Sequence, residues 1–201
     1  MGTPSPGTAP AGEAPWLTGQ LLIAMPAMAD SNFAHSVVYL CAHTADGAMG
    51  IVLNQPLAAP SFEDLLKTLE VQPAPPARTI RLHSGGPVDN GRGFVLHTTD
   101  WTGEGSLTVD RGVALTASLD VLKAIAKGGG PEQGLLALGY AGWGPGQLDR
   151  EMKQNAWLTV PVQAPADLGL LFDSEHETKW RRALGKLGID PVLLSGTAGR
   201  A

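Results

Sequence analysis

The sequence predicts a single domain of mixed α/β class with a largely antiparallel sheet. Its 201 residues are the length of one domain, and from Trp16 onward strand-like and helix-like segments alternate with no long linker. The first three strand-like segments follow one another without a helix, whereas a doubly wound parallel sheet needs a crossover helix after nearly every strand. Short connections between neighbouring strands favour antiparallel pairing.

In chain order, residues 1–15 are rich in Pro, Ala, Gly and Thr without an apolar period, and read as a disordered tail. Apolar runs give strands at Gly19–Met25, Ser36–Ala42 and Ala48–Asn54, and Thr44-Ala45-Asp46-Gly47 reads as the hairpin turn joining the last two. A helix over Ser61–Glu70 places Phe62, Leu65, Leu66 and Leu69 on one face, with Ser61 as its cap and Glu63 and Asp64 in the first turn. Further strands are predicted at Thr79–His83, Gly93–His97, Leu107–Val109 and Leu135–Tyr140. Between the last two, Leu119, Leu122, Ile125 and Ala126 form a helical stripe that stops at Gly128-Gly129-Gly130.

Gly142–Gln147 forms a corner leading into a short helix that carries Leu148 and Met152. Trp157–Val160 and Leu168–Phe172 read as two more strands. Ser174 and Glu177 have the spacing of a capping box for a last helix, whose buried face is Trp180, Ala183, Leu184 and Leu187 and which Gly188 closes. Glu175–Lys179 and Glu177–Arg181 are favourable i,i+4 pairs along it.

Charge narrows the partners. The net charge is −5, and residues 1–66 contain no Lys or Arg while holding Glu13, Asp30, Asp46, Glu63 and Asp64. A phosphate backbone is bound by clustered cations, and this third of the chain supplies none. The one cationic cluster, Lys179, Arg181, Arg182 and Lys186, interleaves with Glu175 and Glu177 and reads as a solvated face, so specific nucleic-acid binding is not expected. The apolar stretch 17–29 has no cation before it and is too short to span a bilayer, so it reads as a core strand and the turn after it. With a single cysteine, Cys41, no intramolecular disulfide forms, and a reducing, cytoplasmic compartment is expected, with no membrane partner.

No catalytic constellation stands out. There is no G-x-S-x-G elbow, no Walker loop, no H-E-x-x-H and no cysteine pair, so no catalytic residue, metal or cofactor is assigned. His35 and His43 flank one strand, and eight residues at about 3.3 Å each hold them roughly 26 Å apart. His83 and His97 are placed to meet across a hairpin, which is weak ground for a metal. Cys41 and His43, two apart on a strand, point to one face. The imidazole could then support a thiolate there, while core packing of the thiol is the plainer reading. The remaining candidates are glycine-bearing loops at strand ends: Gly85-Gly86-Pro87 and Gly142–Gln147, with Asn54, Arg92, Trp143 and Gln147 offering hydrogen bonds, a charge and an aromatic face. They are expected to converge on a site for a ligand or partner.

The blocks LLIAMPAM (21–28), VVYLCAH (37–43), GAMGIVLNQP (47–56), GGPV (85–88), RGFVLH (92–97), LGYAGWGPGQL (138–148), NAWL (155–158) and LGIDP (187–191) resemble the YqgE/AlgH family of bacterial proteins, in order from Leu17 to the C-terminus. The resemblance implies a bacterial cytosolic protein with a coiled, bulged sheet flanked by helices. It supplies no enzyme activity, and it brings an association with regulation of gene expression in one branch of the family. Two positions depart from the family pattern: Ala42 stands where an acidic residue is common, and Gln55 where a basic one is. Together these readings favour a non-enzymatic regulatory or accessory protein that works through a protein partner without binding specific DNA. The alternatives are a small-ligand or nucleotide-binding protein, an enzyme included, and a thiol sensor using Cys41. The oligomeric state is open.

Overall fold

The computed structural model describes residues 16–194, so the tail expected over residues 1–15 lies outside the described residues. One nine-stranded sheet runs β6 (Ser106–Asp110), β7 (Val113–Thr116), β5 (Val88–Thr98), β8 (Gly134–Trp143), β3 (Gly47–Val52), β2 (Val37–Thr44), β1 (Gln20–Ala24) and β9 (Trp157–Pro161). These neighbours are all antiparallel. The exception is β4 (Arg81–Ser84), which pairs parallel with the first half of β8. The class is therefore mixed α/β with a largely antiparallel sheet, and Thr44 pairs with Gly47 across the expected hairpin turn.

The sheet curls strongly. Gly19, just ahead of β1, lies against the side chain of Asp110 at the end of β6, and Gly112 lies against Ala164 beyond β9, so the two ends of the sheet approach each other. Strand alternation then divides the apolar residues into an inside and an outside. Leu21, Ile23, Tyr39, Ile51, Leu96 and Leu135 face inward, where α4 (Leu168–Phe172) and α5 (His176–Gly185) close the core with Leu171, Trp180, Ala183 and Leu184. The Trp180 indole donates to the Ala24 carbonyl at 2.8 Å, anchoring α5 to β1.

Outward-facing residues are covered by two helical layers. Leu22, Val38, Val52 and Ala141 pack under α3 (Gln147–Lys153) through Leu148. Leu82, Val95 and Leu136 pack under α1 (Phe62–Thr68) and α2 (Leu119–Ala126). Ser61 and Asp64 cap α1 reciprocally: the hydroxyl accepts the Asp64 N–H at 3.1 Å, and the carboxylate accepts the Ser61 N–H at 3.2 Å. A short α6 (Pro191–Leu194) follows α5.

The C-terminal region departs most from the sequence reading. Leu168–Phe172 is the helix α4, not a strand, because a five-residue apolar run carries no periodicity that separates the two. The capping box of Ser174 and Glu177 does not form; Glu175 sits at the N-cap position, and no side chain caps the helix. The preceding Asp173 organises the turn instead, its Oδ1 accepting the Glu175 N–H at 3.1 Å. Lys179 is fully buried, so it cannot pair with Glu175 across solvent. Its ammonium donates to the Leu170 carbonyl and to Asp173, and the carboxylate also takes Arg182 at 2.6 and 2.9 Å. Lys186 binds Asp167 at 2.5 Å. Three of the four cations expected on a solvated face are thus spent on carboxylates. Leu187, expected on the buried face, is 39% exposed beyond the helix end, and Gly188 does turn the chain there with φ +68°. The strand β7, which the sequence reading lacked, pairs with β6 in a hairpin turned at Gly112, whose φ is +109°.

Candidate functional site

Two glycine-bearing loops that lie more than fifty residues apart meet in space. The Gly85 N–H donates to Leu138 O at 2.9 Å, and its carbonyl accepts the Val52 N–H at 2.9 Å, fixing the loop between β3 and β8. Gly86, with φ +148°, packs its α-carbon directly on the Tyr140–Ala141 peptide, where any side chain would overlap backbone. Pro87 is thereby carried to the end of β8. There Trp143 leaves the strand, and Gly146, at φ +65°, turns the chain into α3.

Glu151 on α3 is the polar centre of this corner. Its Oε2 accepts the indole N–H of Trp143 at 2.9 Å and that of Trp157 at 2.8 Å. Its Oε1 accepts the Gln147 amide at 2.9 Å, while Gln147 Oε1 accepts the Gly144 N–H at 3.0 Å. Phe33 stacks on Trp143 with ring centroids 6.2 Å apart and meets Trp157 edge-on at 5.5 Å. The cleft between these groups has a volume of about 430 Å³ and includes Asp30, Pro87, Trp143, Gln147, Glu151 and Gln154 in its lining. Among the described residues, Asp30 and Glu151 are its only charged lining groups. The cleft mixes apolar walls with a few directed polar groups, a composition common in ligand pockets. Among the described residues, no group of three or more His, Cys, Asp or Glu could hold a metal ion, and no helix is long and apolar enough to cross a membrane.

The AlgH-like family model matches residues 21–192. The chain belongs to the AlgH-like family. A UPF0301 protein of Rhodospirillum rubrum is 56% identical to this AlgH-like chain over 186 residues, which cover 92% of the chain and 95% of the relative. One from Gluconobacter oxydans is 49% identical over 187 residues, covering 92% and 98%. The solution structure of the AlgH protein from Pseudomonas aeruginosa has a TM-score of 0.73 and 43% identity, covering 98% of this chain and 100% of that one. A crystal structure of a protein from Corynebacterium diphtheriae, with TM-score 0.68 at 19% identity and covering 92% and 93%, shares the fold.

In this AlgH-like chain the remaining sequence candidates are dispersed. Arg92 lies beside the cleft, its guanidinium 5.0 Å over the Phe94 ring, in a shallow groove that shares Gly142 and Trp143 with the cleft. Asn54 is elsewhere. Its Oδ1 accepts the Val37 N–H and its amide donates to the His35 carbonyl, both at 2.9 Å, so it ties the His35 turn to β2.

Cys41 and His43 do not share a face. A β-bulge between Leu40 and Ala42 breaks the alternation of β2. Cys41 turns inward, 2% exposed, and burial pushes its thiol up to about 12. His43 turns outward, accepting the Leu17 N–H at 3.2 Å, with Asp149 of α3 3.6 Å away. The thiol is therefore held protonated in an apolar wall, without the imidazole that the sensor reading requires. His83 and His97 are also apart: their strands flank β8 on opposite sides.

Glu151 was missed in the sequence, although Gln147 and Glu151 are four apart on a helix flanked by two tryptophans, which is its one local signature. Replacing Glu151 with alanine strands two indole donors, and a loss of about 2–6 kcal/mol is expected at roughly 1–3 kcal/mol per unsatisfied buried group. Chemical denaturation followed by tryptophan fluorescence measures it; an unchanged midpoint would mean that water satisfies both indoles.

Proposed function

We propose that this AlgH-like protein is a non-enzymatic cytosolic regulatory protein that works by binding, and that the cleft between Pro87 and the Trp143–Trp157 corner is its recognition site for a small ligand. The observation that carries this reading is the convergence of loops distant in sequence on a single cleft of about 430 Å³. A flat apolar surface at that place would instead suit a protein partner. The acidic lining, Asp30 and Glu151, repels a phosphate backbone. This disfavours regulation by direct contact of the cleft with DNA.

The test uses Gln154, an exposed side chain on the cleft rim. Gln154→Trp should fill the mouth without disturbing the core. Native mass spectrometry of protein purified from its own bacterium should show a bound small molecule on the wild type that is absent from the variant, with equal melting temperatures. If the wild type carries no retained mass, or the variant keeps it, the cleft is not the ligand site.

A further inference from the structure

The cleft at the Trp143–Trp157 corner carries charge of one sign only. Its lining comes from residues 27–33 and 142–157, with Pro87 between them. The first stretch has no cation to offer, because residues 1–66 hold no Lys or Arg. The second holds Arg150 and Lys153, both on α3. That helix presents Gln147, Glu151 and Gln154 to the cleft, at i, i+4 and i+7, and neither cation is among the lining residues.

Asp30 and Glu151 therefore line the cleft without a counter-ion. Among the described residues, no ion pair involves either carboxylate. Glu151 is held by three neutral donors, two indoles and the Gln147 amide, which satisfy its oxygens and leave its charge in place. Oε1 takes only one of the three and keeps an acceptor site. Asp30 accepts the Asn32 N–H through Oδ1 at 2.9 Å, with Oδ2 unused among the described residues.

The apolar wall has the same preference as the carboxylates. Phe33, Trp143 and Trp157 touch one another along it, with centroids 5.5 to 6.2 Å apart. Aromatic faces attract cations through the ring quadrupole. Walls of low dielectric also concentrate the field of uncompensated charges in a cleft. An anion is repelled there, and a neutral ligand leaves both carboxylates unanswered.

Taking this cleft as the recognition site, we propose that its ligand is an organic ammonium ion. The charged nitrogen docks at Asp30 and Glu151, and the carbon chain lies along the wall of Phe33, Trp143 and Trp157. The N–H donors of a primary amine match Asp30 Oδ2 and Glu151 Oε1 as charge-assisted hydrogen bonds. A quaternary ammonium, lacking N–H, uses the charge and the rings alone.

The experiment is a titration of the full chain at constant ionic strength with 1,4-diaminobutane, choline, 1,4-butanediol and succinate, each separately, following the tryptophan indole N–H resonances. At least one of the two ammonium ions should shift Trp143 and Trp157 saturably, while Trp101, which does not line the cleft, stays put. The diol and the diacid should move neither. Diaminobutane acting alone indicates a primary amine, and choline alone a quaternary one. Asp30→Asn keeps an oxygen for the Asn32 N–H and should weaken ammonium binding about fivefold or more. Gln154→Trp should abolish the shifts, and shifts that persist in it would place the cation elsewhere and overturn the proposal. Butanediol or succinate acting where both ammonium ions fail would overturn it too, yet leave the cleft a ligand site. Silence from all four compounds also removes the ammonium assignment, and the retained mass sought in the native spectra then decides separately whether the cleft binds anything.

Discussion

Asp173→Ala is expected to destabilise the domain by about 3–5 kcal/mol, the usual cost of removing one partner of a buried ion pair. The reason is the depth of Lys179, which is fully buried while its ammonium is neutralised by Asp173 at 3.0 Å. Alanine leaves that charge with the Leu170 carbonyl alone and also frees Arg182. At about 2–4 °C per kcal/mol, the melting temperature should fall by roughly 6–20 °C. Lys179→Met in the same background should recover much of the loss, because it removes the stranded charge while keeping the packing volume. If the single variant melts within a degree or two of the wild type, Lys179 reaches water and the burial argument fails. Acid should produce a related effect. Burial raises the Asp173 carboxyl, but hydrogen bonds from Arg182 and Lys179 outweigh that and hold it at about 2. Its contribution is therefore complete above the ordinary carboxylate range near pH 4 and is lost as pH falls through about 2.

Gly86→Ala should cost about 4 kcal/mol or more, enough to prevent folding of a marginally stable domain. The added carbon would overlap the Tyr140 carbonyl carbon and the Ala141 nitrogen, which are backbone atoms held in the β8 ladder and unable to yield. The φ of +148° adds strain for any residue with a side chain. Gly91→Ala is the matched control: nothing lies within 4 Å of its added carbon, and its stability should stay within about 0.5 kcal/mol of the wild type. Equal urea midpoints for the two variants would show that the Gly85–Pro87 loop shifts freely, and the shape of the cleft would then not be fixed by it.

Strand and helix positions were readable wherever a local signal was strong. Ser61 and Asp64 announce α1, the glycine trio after Ala126 ends α2, and the run Leu21–Ala24 has the apolar density of a strand buried on both faces. The meeting of Pro87 with Trp143 was anticipated from glycines at strand ends. Apart from the short apolar run of α4, the errors have a different cause, a register or a partner from another element. Cys41 and His43 obey strand alternation until one bulge flips the parity between them. Lys179 looks solvated in its own helix, and only the position of Asp173 in space makes it a core residue. Asn54 resembles a site residue because it is a polar group ending a strand, yet its amide is consumed by the His35 turn. Glu151 was overlooked because its two indole partners come from β8 and β9.

The position of β8 has a consequence for how the protein is made. This single strand joins β4, β5 and β3, so the two wings of the sheet share no other member. During synthesis every earlier strand leaves the ribosome before it does. Until residues 134–143 emerge, β3 and β5 each hold an open edge that the finished protein never exposes. Nascent chains stalled short of that point should be sticky and dependent on chaperones, whereas chains released a little beyond it can close both edges at once.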